Sequence, residues 1–160
     1  MASQKDARAR NSKQRRQKKQ NQKRLQSTYG KTPPDCYCGA HPVLSMTSEI
    51  VYGRDHGPVW ICGRWPACES MIGCHPDSTI PLGTLATREV RAARKMAHGL
   101  FDRVFQSGRM TRAEAYRELA AVIDLPVRQT HIGMFTLGQC EHAAAWARAE
   151  LQRDHQPVIY

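Results

Sequence analysis

Two close pairs of cysteines constrain this chain more than any other feature. One residue lies between Cys36 and Cys38, and five lie between Cys62 and Cys68, with a hairpin-length spacer separating the two pairs. Zinc prefers four soft ligands in a tetrahedron, which two thiolates from each of two tight loops would supply. The sequence therefore predicts one structural Zn²⁺ ion bound by all four cysteines. Four nearby side chains are alternative donors for one ligand position: Asp35, His41, Cys74 and His75.

The segment between the cysteine pairs predicts a β-hairpin. β-Branched and aromatic residues at 43–52 and 59–61 flank a cluster of Gly, Pro and Asp at 53–58. Gly39 and Gly63 would allow the unusual backbone torsions of metal-binding loops. Residues 70–74 fit a third short strand. The cysteines and strands together predict a zinc ribbon.

Charge separates the first 28 residues from the rest of the chain. They contain ten basic residues and one acidic residue, which is +9 of the net charge of +10. We expect this tail to be disordered when free, because it has too little apolar surface to offset the entropy of ordering. Such a cationic block is typical of an arm that lies on phosphates, although it also fits a merely solvating tail. The candidate phosphate-binding residues are Arg8, Arg10, Lys13, Arg15, Arg16, Lys18, Lys19, Lys23 and Arg24.

Two arginines and two tryptophans near the hairpin predict a second contact with nucleic acid. Arg54 and Arg64 lie close in sequence to Trp60 and Trp65, and an aromatic ring beside a guanidinium stacks on unpaired bases. Strand alternation turns Trp60 and Ile61 to opposite faces. We therefore expect Trp60 in the ribbon core and both arginines in solvent, whereas Trp65 fits either environment.

From residue 84 onward the apolar residues recur at helical spacing and predict three helices. The first helix is expected to begin at Thr84 or Thr87 and to end at Gly108. The second should begin at a capping box, Thr111–Glu114, and end at Asp124–Pro126, and the third should begin at a second capping box, Thr136–Gln139. The predicted fold class is α+β. Its parts are a disordered basic tail and linker at 1–34, a zinc ribbon and connecting loop at 35–83, and a helical subdomain packed on the ribbon at 84–160.

Several function classes lack support in the sequence. Residues 1–6 have no apolar stretch of the kind found in signal peptides, and no run approaches the ~18 apolar residues of a membrane span. We therefore expect a soluble, cytoplasmic protein without a membrane partner. Nucleophile elbows, phosphate-binding glycine loops and catalytic zinc motifs are missing, so we expect neither enzymatic activity nor a small-molecule substrate.

Three segments carry a resemblance to a known family: SEIVYGRDHGPVW at 48–60, IPLGTLA at 80–86, and MTRAEAY at 110–116 with HIGMF at 131–135. They resemble small zinc-finger-containing proteins of bacteriophages and bacteria across roughly residues 35–150. The resemblance implies the zinc ribbon but no particular activity. That family begins its ribbon Cys-Pro-x-Cys-Gly, whereas here Asp35 takes the first cysteine position and Cys36 the proline position. The first ligand is therefore Cys36, or Asp35 or another donor in its place.

Residues 52–68 are also similar to the C-terminal zinc ribbons of type IA topoisomerases, which bind single-stranded DNA. The likeness rests on a glycine-turned hairpin that leads into Cys-x₅-Cys with an aromatic-Pro inside. These features favour a protein that binds DNA or RNA without sequence preference. The alternatives are an adaptor that binds a phage or host protein such as the transcription machinery, and a virion- or ribosome-associated structural protein.

Overall fold

The computed structural model describes residues 4–153, and the side chains of 12–27 and 30–153. The fold is α+β, as predicted, and the chain divides into two compact units at Leu85 and Ala86. Within the described residues, none of the helices has the length and apolar character needed to cross a bilayer. The elements are α1 (Gln4–Tyr29), β1 (Pro42–Ser45), α2 (Glu49–Tyr52), β2 (Val59–Cys62), β3 (Met71–Gly73), α3 (Arg88–Gln106), α4 (Arg112–Val122) and α5 (Leu137–Arg153).

The first unit is built on an antiparallel sheet in the order β1-β2-β3. Trp60 of β2 is paired with Leu44 on one side and Ile72 on the other. These three side chains pack on the face that also holds the cysteines, whereas Ile61 packs on the opposite face. The prediction from strand alternation is therefore confirmed, and Trp60 is buried, with its Nε1–H donating to the carbonyl oxygen of Thr79 at 2.8 Å.

The first hairpin strand is shorter than predicted. β1 ends at Ser45, and residues 49–52, which were expected to continue the strand, form the single helical turn α2. In this turn Val51 packs against the buried cluster of Val59, Ile61 and Met71 on the sheet. Side chains of the loop hold it there, because the Asp55 carboxylate accepts hydrogen bonds from the backbone N–H groups of Ser48 and Gly57.

The basic segment, residues 4–29, forms the continuous helix α1, and the expectation that it is disordered when free stays a prediction. This stretch has no Gly or Pro and is rich in Gln, Lys and Arg, which are good helix formers. It also exceeds the roughly 12–15 residues below which isolated helices are marginal. Gly30 ends the helix in the left-handed conformation, with φ of 73°.

The second unit contains the three predicted helices. Thr87 caps α3, and both expected capping boxes form, at Thr111–Glu114 and at Thr136–Gln139. Phe101, Leu119 and Phe135 are among the side chains of its core. The core therefore lies where the apolar stripes of α3, α4 and α5 meet, as helical spacing requires.

Candidate metal centre

The sulfur atoms of Cys36, Cys38, Cys62 and Cys68 all lie within 4.8 Å of one another. Two of the separations are 3.7 Å, between Cys36 and Cys68, and 3.4 Å, between Cys38 and Cys62. A tetrahedron of sulfurs about 2.3 Å from zinc has edges of about 3.8 Å. The four cysteines are free thiols in a geometry that one zinc ion fits, which confirms the predicted ligand set and cofactor.

The first cysteine loop is a tight backbone turn. The N–H of Cys36 donates to the carbonyl oxygen of Ala40 at 2.9 Å, and the N–H of Gly39 donates to the carbonyl oxygen of Cys36 at 2.8 Å. Gly39 has φ of 82°, which side-chain-bearing residues rarely adopt. The predicted role of Gly39 is therefore confirmed, and the turn brings Cys36 and Cys38 to the same side.

The second loop begins at Cys62, the last residue of β2, and is closed by a hydrogen bond from the N–H of Cys68 to the carbonyl oxygen of Arg64 at 3.0 Å. Gly63 serves a different purpose from the one predicted. A Cβ atom at this position would lie 2.7 Å from the carbonyl oxygen of His41. Glycine is therefore required by the close approach of the two loops. The N–H of Gly63 also donates a hydrogen bond to the same carbonyl oxygen of His41 at 3.0 Å, which holds the loops together.

Polar groups around the sulfurs favour the charged thiolate state at some positions. The Ser70 hydroxyl lies 3.5 Å from the sulfur of Cys68, and its hydrogen bond lowers the pKa of Cys68 to about 6. Burial instead raises the pKa of Cys62 to about 12, although the N–H of Arg64 donates to its sulfur at 3.4 Å. Zinc binding deprotonates its cysteine ligands, so the metal would supply the charge that keeps Cys62 ionised.

The alternative donors lie outside the four-sulfur group. Asp35 and His41 are exposed and paired with each other, with 2.7 Å between the carboxylate oxygen and Nδ1. Cys74 packs beside the cluster and His75 is partly buried, and burial shifts both pKa values toward the neutral form. The first ligand is therefore Cys36, although the resemblance places Asp35 at the first cysteine position.

The metal centre is closed. Cys36, Cys62 and Cys68 are buried, and four protein ligands complete a tetrahedral shell without a position for water. The chemistry of such a site is structural, because a catalytic zinc keeps an open position for water or substrate. The zinc is therefore a cross-link between the two cysteine loops.

The candidate phosphate-binding residues lie on α1. The side chains of Arg8 and Arg10 are outside the described residues, whereas all seven basic side chains at 12–27 are exposed. No carboxylate occurs in this stretch of sequence. The seven residues are Lys13, Arg15, Arg16, Lys18, Lys19, Lys23 and Arg24.

The ribbon candidates are divided between surface and core. Arg54 and Arg64 are exposed, and the Arg64 guanidinium donates to the carbonyl oxygen of Cys38 at 3.0 Å. Trp65 is half-buried against the sheet face that holds Ile61. Tyr37, which sequence reasoning did not select, is 76% exposed in the first cysteine loop. Its position between two ligands was the available clue, because a large side chain flanked by metal-bound residues has little room to turn inward.

Charge on the ribbon is opposite in sign to charge on α1. Residues 30–85 contain five acidic and three basic residues. Four thiolates outweigh the charge of one zinc ion, so the metal centre makes this part of the chain still more negative. Electrostatic attraction for a polyanion is therefore stronger at α1 than at the ribbon.

Comparison with known proteins supports the metal centre. A family model described as a zinc-finger-containing domain matches residues 32–150, a range that includes all four ligands and begins after α1. Searches of curated proteins and of solved structures give no match. The likeness of residues 52–68 to topoisomerase ribbons therefore stays a resemblance in sequence.

Proposed function

We propose that this chain, which belongs to the family of zinc-finger-containing domains, binds nucleic acid without sequence preference. The observation that carries the proposal is the set of seven exposed basic side chains on α1 at 12–27, a stretch that contains no acidic residue. Phosphate contacts of this kind fix position and give affinity, but they do not read bases. The closed zinc centre supports a binding role, because it offers no position for catalysis.

The ribbon offers a candidate contact for unpaired bases. Tyr37 is exposed, and Arg64 reaches the same loop through its hydrogen bond to the carbonyl oxygen of Cys38. A tyrosine ring near a guanidinium forms a stacking surface worth about 1–3 kcal/mol per base. Trp65 presents less of its ring because it packs against the sheet. A preference for single strands over duplexes would come from this part of the ribbon.

The proposal is tested by measuring binding across a salt series. Full-length, zinc-loaded protein is titrated onto mixed-sequence single-stranded DNA, the matching duplex and the matching RNA, with and without residues 1–28. If five cations contact phosphates, the slope of log K against log salt is about −4.5 on duplex DNA and about −3.5 on single strands. Removal of residues 1–28 should bring the slope close to zero. An unchanged slope after truncation would contradict the proposal.

An adaptor role is the second candidate, and exposed apolar side chains on the ribbon favour it. Val43, Met46, Ile50 and Tyr52 are each at least half exposed, and they all belong to the short stretch that forms β1 and α2. Apolar side chains that cluster at a surface often mark a protein interface. A partner captured by the full chain in the presence of nuclease and high salt, and lost after Ile50→Ser, would support this role.

A further inference from the structure

We infer that nucleic acid binds one face of α1, a cationic stripe formed by Arg15, Arg16, Lys19 and Lys23. This inference rests on the proposed function and specifies the site at which it occurs. The ligand is the phosphate backbone of a single strand or of one strand of a duplex. Because the stripe occupies one side of the helix, α1 would lie along that backbone and would not enter a groove.

The spacing of the four residues places them together. With about 3.6 residues per turn, Arg15, Lys19 and Lys23 follow one ridge of the helix, and Arg16 lies beside Lys19, three residues further along the chain. The four side chains occupy an arc of about 100° and extend about 12 Å along the axis. All four are exposed. The stripe therefore presents a continuous row of positive charge.

The opposite face of α1 is turned toward the ribbon. Gln14, Gln17 and Asn21 line a groove whose other side is formed by Pro76 and Asp77. These three amides are centred roughly 180° from the stripe on the helix circumference. The helix therefore has an amide-rich face against the ribbon loop, bordered by Lys18 and Arg24, and a purely cationic stripe away from it.

The other three described cations of this segment, Lys13, Lys18 and Arg24, lie outside that arc of the helix. Lys18 Nζ lies 3.5 Å from a carboxylate oxygen of Asp77. Lys18 and Arg24 line the groove shared with Asp77. A phosphate on that side would approach a carboxylate and the net negative ribbon, whereas a phosphate on the stripe would meet cations alone. Electrostatics therefore favours the stripe over the circumference of α1.

A helix that entered the major groove of duplex DNA would meet phosphates on both walls and would use cations around its circumference. The arrangement on α1 lacks this symmetry, because the face toward the ribbon is occupied by amides and by the pair of Lys18 and Asp77. Contact with one backbone is what a one-sided stripe allows. Neutralising the stripe should therefore weaken binding to single-stranded DNA and to duplex DNA by similar amounts.

Two matched triple variants of the full-length, zinc-loaded protein test the inference. Each removes one arginine and two lysines from α1, so the two proteins have the same net charge and the same composition. Glutamine retains helix propensity, and circular dichroism checks that helicity is unchanged. The stripe variant is Arg15→Gln, Lys19→Gln and Lys23→Gln, and the control variant is Lys13→Gln, Lys18→Gln and Arg24→Gln.

Binding to mixed-sequence single-stranded DNA and to the matching duplex is measured across salt. We expect the stripe variant to reduce the magnitude of the slope of log K against log salt by about 2–3 on both the single strand and the duplex, and the control variant by less than 1. Equal losses in the two variants would overturn the stripe and leave the proposed function intact. Unchanged binding in both variants, with an unchanged slope after truncation, would overturn the stripe and the proposed function together.

Discussion

The ribbon and the helical unit bury different chemistry. The ribbon places four cysteine sulfurs beside Trp60 and Ile72, whereas the helical unit packs aromatic rings around Phe101. Small folds often need a metal or disulfides, because their apolar core is too small to offset the entropy of folding. The comparison indicates that zinc provides the main stabilisation of the ribbon, and side-chain packing that of the helices.

Zinc removal should give the largest effect. Structural zinc in small finger peptides contributes about 10–16 kcal/mol, which is comparable to the whole stability of a small domain. We expect chelation to abolish the dispersed backbone amide signals of residues 36–83 in NMR spectra and to preserve those of α3, α4 and α5. Ribbon signals that persist in protein shown by elemental analysis to be free of zinc would refute this account.

Two single cysteine variants provide the matched control for that experiment. Cys62→Ser removes a ligand and should abolish stoichiometric zinc, whereas Cys74→Ser alters a thiol that packs beside the cluster but lies outside the four-sulfur group. We expect the Cys74 variant to retain one zinc per chain.

Phe101→Ala should give the next largest effect, and it should be confined to the helical unit. Phe101 is 1% exposed, and its ring centroid lies 4.6 Å from that of Tyr116 and 5.7 Å from that of Phe105. Truncation of a buried phenylalanine costs about 3–5 kcal/mol. Denaturant unfolding followed by helical circular dichroism measures the loss, and Val122→Ala, at an exposed position of α4, should change stability by less than about 0.5 kcal/mol. A loss of zinc from the Phe101 variant would contradict the proposed separation.

Thr111→Ala should give the smallest effect. The Thr111 hydroxyl accepts a hydrogen bond from the N–H of Glu114 at 3.3 Å, and removing such a cap costs about 1 kcal/mol. Thr111→Ser keeps the hydroxyl and should be close to wild type in the same unfolding experiment. A serine variant as unstable as the alanine variant would rule out the capping explanation.

The reverse half of this capping box should depend on pH. A hydrogen bond from the backbone N–H of Thr111 lowers the pKa of Glu114 below its ordinary value. The stabilising contribution is therefore complete above the ordinary pKa of glutamate and is lost as the pH falls through the lowered value. The stability difference between wild type and Glu114→Gln should follow the same course.

Local patterns were sufficient for the helical unit and for the core of the ribbon. Helical spacing and capping residues predicted α3, α4 and α5, because both act within a few residues of chain. Strand alternation likewise assigned Trp60 and Ile61 to opposite faces. The same reasoning failed at residues 49–52, because the turn in α2 depends on Asp55 and on contact between Val51 and the sheet. Contacts of that kind join separate elements, and the order of residue types along one strand does not specify them.

The sequence by itself determined that the two cysteine loops would bind one zinc ion, and that positive charge would be concentrated before residue 29. Both follow from residue types and spacing, which do not depend on the final fold. The tertiary structure alone decided that Cys36 and not Asp35 is the first ligand, and that Gly63 is needed for close approach to His41. It also decided which cations of α1 face away from Asp77. These outcomes depend on distances between segments far apart in the chain, which residue spacing does not specify.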